Sequence, residues 1–154
     1  MRTLSDRLSW LCGFIDGEAH IGIWKTKRKN TTAFVSGITI AGTHKYSIEL
    51  CALIYNTLIV PAKPVKCSSY KSSNPNWKRV HSVRFSNQED LLSFCKLIQP
   101  HIVVKCEQVT ILITYLTNRI AHNKRVLSNS DNHYTKTDER LYKRMKKLNK
   151  KGGL

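Results

Sequence analysis

Two carboxylates two residues apart, Asp16 and Glu18, stand where a helical pattern gives way to a strand pattern. Upstream, apolar Trp10, Leu11, Phe14 and Ile15 recur with helical spacing, and Gly13 and Gly17 share one face of the same helix. After Ala19 the period changes to two, with Ile21 and Ile23 apolar. A helix C-terminus carries negative partial charge, so an acid in its last turn is unfavourable by about 0.3–1 kcal/mol unless something positive neutralises it. A metal ion would do so, and the free carbonyls of the last turn are further oxygen donors for a hard cation. Asp16 and Glu18 lie about 200° apart around a helix and cannot aim at one point, which assigns a structural role to one and a chemical role to the other.

The run Leu11-Cys12-Gly13-Phe14-Ile15-Asp16-Gly17-Glu18-Ala19 resembles the nine-residue signature of the LAGLIDADG homing endonucleases, with Glu for Asp at the eighth position and Ala for Gly at the ninth. The resemblance implies that Glu18 binds the catalytic divalent cation, helped by the Ala19 main-chain carbonyl. That cation would be Mg²⁺ or Mn²⁺, with Ca²⁺ as a non-catalytic substitute. It makes Asp16 the acid that terminates the helix. It also sets Leu11, Cys12, Gly13, Asp16 and Gly17 against a second signature helix. The chain holds one copy of the signature, so the resemblance implies a homodimer with Glu18 and its mate at the two-fold axis.

Charge points the same way by an independent route. Lys and Arg number 26 against 10 Asp and Glu, a formal charge of +16 over 154 residues, and a polyanion is the expected partner. No run of about 18 apolar residues suggests a membrane span, and the stretch MRTLSDRL has no secretory core, so the chain reads as soluble and intracellular. Five cysteines, mostly inside apolar patterns and without a CxxC pair, read as reduced thiols rather than a disulfide or zinc framework.

The elements that must position these groups follow from periodicity. Thr3 to Asp6 has the form of a capping box opening the signature helix. His20 to Asn30 alternates, with Gly22, Trp24, Thr26, Arg28 and Asn30 opposite the apolar side. A turn at residues 30–33 leads to a returning strand, Phe34 to Ala41, and Thr43 is the expected N-cap of a helix to about Leu58. Pro61 and Pro64 end that helix. A second strand pair is expected, with Val65 and Cys67 alternating with Lys66, Ser68 and Tyr70, and Val83 and Phe85 alternating with Ser82 and Arg84. Ser86 to Glu89 reads as a capping box before a helix through Ile98, and a longer helix runs from about Lys105 to Ile120. Residues 1–121 form the expected core. Residues 122–154 form a polar loop and a basic tail of the same domain, with Leu141, Met145 and Leu148 on one helical face.

Two hairpins with one apolar and one polar face imply an α+β fold with an antiparallel sheet covered by helices on one side. The order αββαββα resembles the core of the same endonucleases, with a concave open face for DNA. A strand ribbon fits the major groove, where Gly22, Trp24, Thr26, Arg28, Asn30, Thr39, Lys66, Ser68, Tyr70, Ser82 and Arg84 would meet double-stranded DNA, with Lys45 beside them. The segment Gln99-Pro100 to Lys105 looks like the family's QP-x4-K run, which implies that Lys105 sits in the active site. The family's second polar position falls near Gly42 and Thr43, where the usual Gln is absent and a main-chain group, Thr43 or Lys45 would take its place. The reading is a Mg²⁺-dependent endonuclease making double-strand breaks in a long pseudo-palindromic site, of intron-encoded origin in an organelle or microbe. The alternatives are an RNA-splicing maturase of the same fold and a non-catalytic nucleic-acid-binding protein.

Overall fold

The computed structural model describes residues 3–28, 31–125 and 134–151. In chain order these form α1 (Leu4–Glu18), β1 (Ala19–Arg28), β2 (Thr31–Gly42), α2 (Lys45–Ile59), β3 (Ser68–Tyr70), β4 (Val80–Phe85), α3 (Gln88–Ile98), a 3-10 turn (Gln99–His101), α4 (Cys106–Arg125) and α5 (Lys136–Lys151). The four strands make one antiparallel sheet in the order β1-β2-β4-β3.

The register sorts the two faces. Ile21 pairs with Ile38 and Ile23 with Ser36, while Ile38 pairs with Phe85 and Ile40 with Val83. All of these are buried under the helices. Strand neighbours point to opposite sides. The other face therefore carries His20, Gly22, Trp24 and Thr26 from β1, Thr39 from β2, Ser82 and Arg84 from β4, and Ser68 and Tyr70 from β3. Beneath the sheet, Tyr55 of α2 stacks on Phe85 at 4.0 Å and 5°, and Phe94 of α3 meets both edge-on.

Each helix boundary has a local cause. Thr3 caps α1 through a reciprocal pair with Asp6, at 3.1 and 3.0 Å. The cap of α2 is His44, not Thr43: His44 keeps an extended backbone and its Nδ1 accepts from Ser47 N–H at 3.3 Å. The cap of α3 is Asn87, not Ser86; its Oδ1 accepts from both Glu89 and Asp90 N–H at 3.1 Å. β3 is three residues long, so Lys66 stands before the strand rather than on it.

The basic tail is a docked helix. Thr135 and Asp138 form a capping box for α5, and Leu141 and Met145 are buried against the core. Asp138 also meets Arg119 of α4 in an ion pair at 3.4 Å, with both side chains at 3% exposure or less. Lys25, on the helix side of β1, bridges to Glu139 at 2.8 Å and lies over the Phe34 and Tyr142 rings. Of the loop expected from His122 to His133, residues 122–125 are instead the end of α4, and residues 126–133 lie outside the described residues. Among the described residues no helix is long and apolar enough to cross a membrane.

Candidate functional site

The end of α1 is held from outside by one lysine. Lys105 Nζ donates to the Ile15 carbonyl at 2.8 Å and to the Asp16 carbonyl at 2.7 Å. These oxygens, expected as free donors for a metal, are occupied by an ammonium. The same ammonium supplies the positive charge that an acidic helix end requires. Its pKa is lowered by partial burial, against an opposing pull from Asp16 and Glu18.

Asp16 turns away from Glu18 and closes the other half of the junction. Its carboxylate accepts from the backbone N–H groups of Val103, Val104 and Lys105 at 2.8, 3.2 and 3.0 Å. The Lys105 carbonyl accepts the first bond of α4 from Val109 N–H at 3.0 Å, so Asp16 lies at the positive end of that helix. Each helix end thus receives its complementary charge from the other segment.

Glu18 is left exposed, with no hydrogen bond or ion pair to another described residue. It stands where α1 runs into β1, because Ala19 already pairs with Ile40. β2 passes it and ends at Gly42, which puts the exposed Thr43 at the same end of the sheet. His20, one residue into β1, has its pKa lowered by burial first and by Lys105 second, which sets it close to the same cluster. His20 shares the strand parity of Gly22 and Trp24; the period-two pattern that found them contained it.

On α1, Gly13 and Gly17 face outward, and a side chain added at either would meet nothing within 4 Å. Leu11 and Cys12, expected on the same surface, are instead 0% and 2% exposed inside the chain's own core. Helical geometry explains the difference. Residues one or two before Gly13 lie about 100–200° round the axis and turn toward the sheet.

The chain superposes along 95% of its length on 96% of an I-CvuI homing endonuclease chain, solved with the I-CreI target and Mg, at a TM-score of 0.56 and 12% identity. It covers 77% of its own length and 58% of that of I-CeuI, an intron-encoded homing endonuclease complexed with DNA, at 0.58 and 14%. A third match, at 0.59 and 13%, spans 90% of this chain and 42% of the LAGLIDADG homing endonuclease I-GzeII in complex with its DNA target. The chain has the fold of the LAGLIDADG homing endonucleases. At these identities the likeness concerns the fold. No protein-family model matches the sequence, and no curated protein does.

Of the residues expected to meet DNA, the fold brings Gly22, Trp24, Thr26, Thr39, Ser68, Tyr70, Ser82 and Arg84 onto one sheet face. Lys45 opens α2 instead and pairs with Glu49 at 3.6 Å. The Arg28 side chain and Asn30 lie outside the described residues. The centre of the face is occupied by Trp24, with the Arg84 guanidinium 4.7 Å from its ring centroid and the His20 ring 5.5 Å away.

Proposed function

We propose that this protein is a divalent-metal-dependent, site-specific DNA endonuclease that works as a homodimer on a long pseudo-palindromic target. One observation carries the reading: Glu18 projects free from a helix end whose neighbouring carbonyls are satisfied by Lys105, at the edge of a polar sheet face in a fold solved repeatedly on DNA. The +16 charge supplies attraction for the phosphate backbone.

The donor set bears on the metal directly. Glu18 and the Ala19 carbonyl are hard oxygen donors of the kind Mg²⁺ takes. Among the described residues no three His, Cys, Asp or Glu cluster to hold a metal. One chain therefore fits half of a site, completed by a second Glu18 across a two-fold axis. The outward Gly13 and Gly17 let a second α1 approach closely enough for that. The match to nearly all of I-CvuI, against less than half of I-GzeII, supports one copy of the fold per chain and two per active unit.

Mg²⁺ held there would activate water and stabilise the oxygen leaving the scissile phosphate. The chain's own part is positional. Glu18 would hold the metal, Lys105 would offset negative charge growing on the phosphate, and the sheet face would fix the register of the duplex. A two-fold pair of chains reads two half-sites in inverted order.

The test is cleavage of a randomised pseudo-palindromic DNA library with Mg²⁺, run beside Glu18→Gln. Discrete double-strand cuts that need the metal and vanish in Glu18→Gln, with binding kept, are the expected result. Cuts that survive Glu18→Gln remove Glu18 from the mechanism. Sequence-specific binding with no cutting at any metal concentration shifts the function to a maturase or other binding protein.

A further inference from the structure

We propose that Trp24 and Arg84 form a preassembled reading unit, in which Trp24 holds Arg84 to recognise one guanine per half-site in the major groove; this rests on the DNA-binding reading above.

The unit is built on a floor of two glycines. Gly22 and Gly37 are directly opposite each other on β1 and β2, and both belong to the open face. A Cβ at Gly22 would stand 2.7 and 2.9 Å from Trp24 Cζ2 and Cε2. At Gly37 it would stand 3.6 Å from Trp24 Cζ3 and 3.4 Å from Arg84 Nε. The indole therefore lies down along β1, crosses β2 over the bare backbone and reaches Arg84 on β4. Arg84 pairs in register with Thr39, two residues from Gly37. Any side chain at Gly22 would occupy the ring's place.

Among the described residues, exposed Arg84 makes no hydrogen bond or ion pair, and the ring it meets is that of Trp24, at 4.7 Å. Stacking on an aromatic restrains a guanidinium while consuming none of its N–H donors. A restrained arginine loses less rotamer freedom when it binds. The major-groove edge best matched to such a fork is guanine, with N7 and O6 both acceptors. An unheld arginine on the same face would contact phosphates with little base preference.

The experiment selects bound sequences from a randomised double-stranded DNA library with Ca²⁺ present, so that cutting is not required, using the full chain and the variants Arg84→Ala, Arg84→Lys, Trp24→Leu and Gly22→Ala. The wild-type chain is expected to enrich guanine at one position in each half-site. Arg84→Ala and Arg84→Lys should both lose that preference by roughly 5- to 150-fold, with Arg84→Lys keeping its overall affinity at low salt. Trp24→Leu and Gly22→Ala should weaken the same position and no other, the second because its methyl must lift the ring. An unchanged base profile in Arg84→Ala overturns the assignment, as does an unchanged profile in Trp24→Leu. A wild-type chain that selects no duplex sequence overturns the DNA-binding reading together with it. Selection by the wild type with indifference to Arg84 overturns this unit alone.

Discussion

Asp16 and Lys105 hold each other twice: the Asp16 carboxylate accepts the Lys105 backbone N–H at 3.0 Å, and the Lys105 ammonium donates to the Asp16 backbone carbonyl at 2.7 Å. The two residues stand 89 positions apart in the chain. Their exchange fastens the C-terminal end of α1 to the entrance of α4 and leaves Glu18 facing away.

Asp16 and Glu18 should therefore separate in their effects. Asp16→Ala strands three backbone donors at the start of α4 and is expected to destabilise the protein by about 2–3 kcal/mol. Glu18→Gln is expected to leave the midpoint of urea unfolding unchanged while abolishing metal-dependent cleavage. A pair of denaturation curves checks both. Equal destabilisation by the two would contradict the division of labour.

The lowered pKa of Lys105 sets a direction for stability at alkaline pH. The folded state releases this proton before the unfolded chain does, so the unfolded state binds more protons between the two pKa values. The contribution of Lys105 is smallest where both forms are protonated, grows as pH rises through the folded pKa and is complete above the usual lysine value. Comparing wild type with Lys105→Met across pH 8 to 11, the difference should shift in favour of the wild type as pH increases. A difference that shifts against it would place Lys105 in a site that favours its charge.

Gly13 tests the proposed helix crossing. Nothing within 4 Å would obstruct a side chain there in a single copy, so Gly13→Leu should fold with near wild-type stability. Its branched side chain would hold a second α1 away. Sedimentation equilibrium should show a dimer for the wild type, as proposed, and a monomer for Gly13→Leu at the same concentration. A fully dimeric Gly13→Leu would move the interface to another surface.

The Arg119–Asp138 pair predicts how α5 is retained. Both groups are almost fully enclosed, and Asp138 also accepts from Thr135 N–H at 2.8 Å. Removing the arginine leaves a buried carboxylate without its counter-charge, at a cost of about 3–5 kcal/mol. Arg119→Met should lower stability by that order and expose the α5 segment to limited proteolysis ahead of the core. Proteolysis matching the wild type would mean that the apolar face of α5 alone holds it in place.

Local rules carried much of this fold. The capping box at Thr3, the alternation in β1, β2 and β4, and the apolar stripe of α4 are all properties of short windows and lie where periodicity assigns them, although β2 begins at Thr31, inside the expected turn. The divergence of Asp16 and Glu18 also follows from helical geometry, although the partners of Asp16 do not. They come from a segment 87 to 89 residues away, which no window contains. The caps at His44 and Asn87 escaped because Thr43 and Ser86 offer equally good hydroxyls one residue earlier, and backbone conformation decides between them. Trp24 and Arg84 were legible as members of one face. Their contact was not, since it needs the register that sets Gly22 against Gly37.

The lock between Asp16 and Lys105 also has a meaning in time. During synthesis α1 is made before α4, and its last turn has no ammonium to neutralise it until Lys105, 89 residues beyond Asp16, has been added. Closing a loop of that span carries an entropic cost that contacts nearer in the chain do not. A nascent fragment ending before α4 carries the carboxylate of Glu18 but lacks the support that aims it. The end of α1 that carries Glu18 stays unsupported until the entrance to α4 has been made.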